Sequence, residues 1–153
     1  MDVKNINPFM ESFTSIMPQL GFSEIRKGTL SVKNKELVSS GILILVGIVG
    51  GIKGNVAYSL DLESAKQVAS KMMMGMPVDE LGEMEKSALS ELSNMLTASA
   101  VTLFSSIGVL IDISTPTLLQ GDSISLKMGT GQILCVQLFA DDIPIEINIA
   151  FNA

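Results

Sequence analysis

The sequence predicts one mixed α and β domain, in which amphipathic helices pack on a sheet assembled from hairpins. Three features point there. From Ser87 to Ile107, SALSELSNMLTASAVTLFSSI, the positions Leu89, Leu92, Leu96, Ser99, Leu103 and Ile107 recur three or four residues apart. At about 100° per residue that spacing sets them on one face of a helix. Two stretches, 41–60 and 131–151, each read as an apolar run, a turn and an alternating run, which is the pattern of a β-hairpin. Finally, the 153 residues are 47% apolar and only 17% charged. That is enough to bury one full core and too little charge for a disordered chain.

Taken in order, Asn7-Pro8 reads as a helix start, with Asn as N-cap and Pro at the first helical position. Phe9, Phe13 and Ile16 line its inner face, and Pro18 and Gly21 end it. Residues 22–33 have weak strand character around Ile25, Leu30 and Val32. Gly41–Val49 and Asn55–Leu60 are strands joined by Gly50-Gly51-Ile52-Lys53-Gly54, the first apolar enough to be buried on both faces. That turn is no phosphate loop, because neither GxxxxGK[ST] nor GxGxxG can be written across it.

Asp61 caps a second helix, Leu62 to Met74, with Ala65, Val68, Met72 and Met73 inward and Gly75 as its stop. The cluster Met72, Met73, Met74 and Met76 reads as adaptable core filling or, less commonly, a binding surface. After the extended link forced by Pro77, the long helix begins at Asp79 or Glu80 and ends near Gly108. Glu80, Glu83 and Glu85 suit the positive end of its dipole. Val109–Ile113 is a short strand, STPT at 114–117 a turn, and Ser123–Met128 alternates. Gly129-Thr130-Gly131 reads as a hairpin turn before Ile133–Phe139, and Asp141-Asp142 turns the chain into Ile143–Phe151. The similar hairpins 41–60 and 131–151 suggest two halves of an internal duplication. No linker or low-complexity segment divides the chain, so residues 1–153 are expected to form a single domain.

Composition excludes several functions. A net charge of −6 and a 5% aromatic share argue against nucleic acid and against anionic membrane as partners. The longest apolar run, Gly41–Ile52, is too short to cross a bilayer, and the N-terminal MDVKNINPFMESF lacks a signal-peptide pattern. The one cysteine, Cys135, lies in an alternating apolar run and reads as a buried small hydrophobe, which suits a reducing cytoplasm. Histidine is absent. Nucleophilic triads, the usual zinc sites and a phospho-histidine relay are therefore out of reach, leaving carboxylates, amides, hydroxyls and lysines for any chemistry.

On the long helix, Ser87, Glu91 and Asn94 stand at i, i+4 and i+7, opposite the apolar positions. A carboxylate and a carboxamide one turn apart on a rigid helix make a small, pre-set polar device. An ordinary solvated face has the same spacing, and the residues by themselves leave both readings open.

The motif Ser87-x-x-x-Glu91-x-x-Asn94, within SALSELSNM, resembles the signature of the CheC/CheX/FliY group of chemotaxis phosphatases, most closely the CheX type. GGIKGNVAYSL at 50–60, MMMGMP at 72–77 and STPTLLQG at 114–121 support the resemblance, which runs from about residue 20 to the end. CheC-type members carry two copies of the signature and this sequence has one, as the CheX type does; Ser93 stands where the family often has glycine.

The resemblance implies a sandwich fold with a mainly antiparallel sheet and long helices on one side. It also implies pairing into a homodimer through the sheets, and hydrolysis of the aspartyl phosphate on a CheY-like response-regulator receiver. The expected site residues are Glu91 and Asn94, with Ser87 in support. No cofactor is expected in this chain, while a divalent metal, Mg, belongs to the partner receiver. An acyl phosphate is already activated, so what such a reaction lacks is a placed water. Asn94 has one acceptor and two donors for that task, and Glu91 suits a lysine beside the phosphoaspartate. Ser87 has no flanking base and is a hydrogen-bonding position more than a nucleophile. The competing expectation is a non-catalytic dimeric adaptor that docks on receivers or on the flagellar switch.

Overall fold

The computed structural model describes residues 3–151 as a helical layer on an antiparallel sheet, with a β-ribbon covering the sheet's other face. The elements are α1 (Asn7–Gln19), β1 (Ile25–Gly50), β2 (Gly54–Leu60), α2 (Leu62–Met72), α3 (Glu83–Ser106), β3 (Ile111–Ile113), β4 (Thr117–Ala140) and β5 (Ile143–Phe151). A short 3-10 turn, Val3–Ile6, precedes α1.

The sheet is organised by β1 and β4, which run antiparallel from Ile25↔Ala140 to Leu45↔Thr117. At one end β4 gives its second edge to β5, and at the other β1 gives its second edge to β2. β2 and β5 then pair with each other, Gly54 opposite Phe151 and Ser59 opposite Glu146. The hairpins β1–β2 and β4–β5 thus lie side by side about a local twofold axis. This gives the expected duplication a spatial meaning: each hairpin is flanked by the far end of the other long strand.

Between those ends, roughly residues 34–41 and 121–132, β1 and β4 form a ribbon that lies over the face away from the helices. Leu37 and Met128 from the ribbon are buried with Leu43, Ala57, Ile133, Cys135 and Ala150 in a small second core. The main core lies on the opposite face and takes the alternate residues: Ile42, Ile44, Val46 and Ile48 of β1, Val56 and Tyr58 of β2, and Ile145, Ile147 and Ile149 of β5. Period-two alternation therefore feeds two cores from the same strands. Gly41 marks where β1 leaves the ribbon. Its φ is +105°, and a Cβ there would approach the Leu60 carbonyl to 2.6 Å, so only glycine suits the bend.

Several expectations are corrected. Gly129-Thr130-Gly131 is not a hairpin turn, since the strand continues through it. It falls where β4 takes five steps from Gln132 to Lys127 while β1 takes two from Asn34 to Glu36, and the surplus is absorbed as an irregularity. The weak strand expected within residues 22–33 is the opening of a continuous 26-residue strand, Ile25–Gly50. Asn7 lies inside α1 and the N-cap is Ile6, because the preceding 3-10 turn already supplies the entry. α2 stops at Met72, since Met74 at φ 62° and Gly75 at φ 85° are left-handed; Met74 and Met76 are exposed, outside the core. Asp61 caps α2 as expected, its carboxylate accepting from the Ser64 N–H at 2.8 Å. Asp141 and Asp142, both at positive φ, form the two-residue turn into β5.

The helices cover one face. α1 and α3 pack against each other, with Phe9 and Phe104 meeting edge to face at 5.9 Å between ring centroids. No helix among the described residues is long and apolar enough to cross a membrane.

Candidate functional site

α3 positions the candidate residues. It starts at Glu83, later than the sequence suggested, because Gly82 is the boundary: the Glu85 carboxylate reaches back and accepts from the Gly82 N–H at 3.1 Å. Its inner face is Leu89, Leu92, Ser93, Leu96, Thr97, Ala100 and Phe104. The first three leucines of the expected stripe hold. Ser99 and Leu103 are only partly buried and Ile107 is exposed, because the true stripe is rotated towards Thr97 and Phe104.

Opposite that stripe, Ser87 and Glu91 are exposed and Asn94 is partly exposed. At 100° per residue the three lie within about 60° of arc, so they form one column on the outer surface. Among the described residues, none makes a side-chain hydrogen bond or ion pair to Ser87, Glu91 or Asn94. Their donors and acceptors therefore point to solvent or to a visitor. On α1 the same spacing holds Asn7, Glu11 and Thr14, so α1 has a threonine where α3 places the amide one turn after the carboxylate.

The column stands on a convex helix surface. Two clefts lie elsewhere: one of about 510 Å³ is lined by Glu63, Lys66, Ser70 and Lys71 of α2, and one of about 490 Å³ by Met10, Glu11 and Thr14 of α1 with Arg26 and Lys27. A ridge of this kind meets a concave surface of another macromolecule more readily than it encloses a small ligand.

Beneath the column is a polar contact that sequence reasoning missed. The Tyr58 hydroxyl on β2 lies 2.7 Å from Thr97 Oγ1, and the Thr97 hydroxyl donates to the Ser93 carbonyl at 2.7 Å. All three residues are buried. Burial, opposed by the bond to Thr97, pushes the Tyr58 phenol above its ordinary pKa, so it stays a neutral donor. The available signal was the pair of hydroxyl residues, Ser93 and Thr97, four apart and adjoining the leucine stripe.

The chain has known relatives in sequence and in fold. The family profile described as chemotaxis phosphatase CheX matches residues 42–140, a span that includes the whole column. The chain is 31% identical over 144 residues to the CheY-P phosphatase CheX of Thermotoga maritima, covering 93% of this chain and 92% of that protein. A solved CheC-like superfamily protein from Shewanella sp. PV-4 matches with a TM-score of 0.88 at 25% identity, over 100% of both chains. A chain of the CheX–CheY–BeF3–Mg2+ complex from Borrelia burgdorferi matches with a TM-score of 0.84 at 25% identity, over 99% of this chain and 100% of that one. The fold is that of CheC-like proteins, and the chain belongs to the CheX family of chemotaxis phosphatases.

Proposed function

We propose that this chain is a phosphatase that removes the phosphoryl group from the aspartate of a CheY-like receiver domain, with Asn94 holding the attacking water. The observation that carries the reading is the pairing of Glu91 and Asn94, unengaged by any described residue and side by side on the outer face of a helix whose other face is locked in the core. The relative from Thermotoga maritima is a CheY-P phosphatase, and a structural relative is complexed with CheY, which supports a receiver as substrate.

The ridge enters the receiver's phosphorylation site. Glu91 meets a cation there, which fixes the approach and leaves Asn94 one turn away, facing the phosphorus. The Asn94 carbonyl oxygen accepts from the water while its amide donates, so the water is held in line without any group of this chain ionising. The water oxygen forms its bond to phosphorus as the P–O bond to the aspartate carboxylate breaks, and inorganic phosphate leaves. The metal that balances phosphoryl charge belongs to the receiver; this chain supplies position. Ser87 sits at the rim of the contact.

The protein acts as one domain in the cytoplasm and pairs as a homodimer. The first part of β1 is an outer strand with an open edge, and Leu30 and Val32 on it are 41% and 52% exposed. The deciding measurement is phosphate release from a phosphorylated receiver with and without the protein. Acceleration is expected, and its loss in Asn94→Ala. Binding without acceleration would favour the dimeric adaptor instead.

A further inference from the structure

We infer that Tyr58 and Thr97 are positioning residues for Asn94: a buried chain of hydroxyls ties the helical turn that carries the amide to strand β2. This rests on the role proposed above for Asn94. The direction of the chain follows from proton count. The Thr97 hydroxyl has one proton and gives it to the Ser93 carbonyl, so Tyr58 must donate to Thr97 Oγ1. The Ser93 carbonyl belongs to the peptide group whose nitrogen is that of Asn94. The link therefore runs from the sheet to the peptide plane from which the Asn94 side chain departs.

The surroundings explain why such a link is needed. Leu89, Leu92 and Leu96 seat α3 on the sheet through contacts that are strong but non-directional. A helix held only in that way can slide or roll by a fraction of an ångström at little cost. A hydrogen bond fixes both distance and direction. The lever is short, because Ser93 precedes Asn94 and Thr97 lies three residues after it. The Thr97 hydroxyl that bonds the carbonyl four residues back is the same one Tyr58 reaches from the sheet, so the two contacts act on one turn of the helix. Ser93 and Thr97 are small enough for the phenol to reach between the leucines.

The test uses single-turnover decay of a phosphorylated receiver at saturating protein, with half-saturation measured separately. Tyr58→Phe removes only the hydroxyl. Its rate is expected to fall about tenfold with half-saturation unchanged, the scale of a sub-ångström misplacement of a positioning group. Thr97→Val, which lacks the donor to Ser93, should lose at least as much, and Thr97→Ser should restore most of that loss. In an Asn94→Ala background, Tyr58→Phe should cost nothing further, because the group it positions is gone. An unchanged rate in both Tyr58→Phe and Thr97→Val, or an equal fall with and without Asn94, overturns the proposal. Asn94→Ala turning over like wild type would instead remove the reading on which it rests. Thermal melts of each variant identify any that fail to fold, and whichever of Tyr58→Phe or Thr97→Val is intact decides the result.

Discussion

Replacing Asn94 by alanine separates chemistry from folding, because the side chain is partly exposed and bonded to none of the described residues. Removing it opens no cavity and strands no buried partner, so the cost in stability should lie within about 0.5 kcal/mol. Alanine is the better helix former by up to ~0.7 kcal/mol, which offsets even that. The chemical cost is of a different size. Losing the group that orders the water should slow turnover on the order of 10²-fold, or about 2.7 kcal/mol of barrier at 1.36 kcal/mol per decade. The assay is decay of the phosphorylated receiver in a single turnover at saturating protein, beside a melting curve and a binding titration. Near-wild-type melting and binding with slow decay is the expected triple. Asn94→Asp should not rescue, since it sets an anion beside the phosphoryl oxygens, and Asn94→Gln should recover part of the rate. Decay as fast as wild type in Asn94→Ala refutes the water-holding mechanism.

Glu91→Ala should raise half-saturation for the phosphorylated receiver, and added salt should weaken the wild type more than the variant; equal salt dependence would show that Glu91 meets no cation. Asp61→Ala removes the cap on the Ser64 N–H and should cost about 1 kcal/mol, lowering Tm by roughly 2–4 °C without changing catalysis. Burial pushes the Cys135 thiol up to about 11, with Lys33 opposing and Glu146 adding to the shift. The fold favours the protonated thiol, so this contribution is whole below the unfolded value near 9 and is lost as pH rises from there through about 11. Alkylation of the native protein at pH 8 should accordingly be slow, and a well-folded Cys135→Ser should keep its turnover.

Local signals in the sequence were read well and long-range ones were not. Asp61 as a cap, Asp141-Asp142 as a turn and Ile143–Phe151 as a strand each depend on a few neighbouring residues, and each stands as expected. The column Ser87, Glu91 and Asn94 was legible because helical periodicity fixes the outer face once three leucines fix the inner one. The lower half of that inner face was not, because Ser93 and Thr97 are polar residues in a buried position and shift the stripe away from Ser99, Leu103 and Ile107. The reach of β1 and β4 was hidden for a different reason. Residues 25–40 lie partly on an open edge and partly in the ribbon, where one face meets water and the alternation is diluted by Lys27, Lys33 and Glu36. Glycines at 129 and 131 imitate a turn, and only the partner strand reveals that the direction does not change. Tyr58 and Thr97 illustrate the same limit, since their meeting depends on how a helix lands on a sheet.

The pairing of β1 with β4 also governs how the chain must fold. Ile25 meets Ala140, 115 residues on, and Leu45 meets Thr117, 72 residues on. The hairpins β1–β2 and β4–β5 can close locally in microseconds, but neither has a sheet to join until both exist. Closing the long ladder costs loop entropy before its contacts repay it, which places folding in the slow range of high contact order, milliseconds to seconds. During that wait the apolar run of β1 from Gly41 onward stands with an open edge, prone to pairing with another copy. The two hairpins are equivalent in the finished sheet, yet neither half can serve as a folded template for the other.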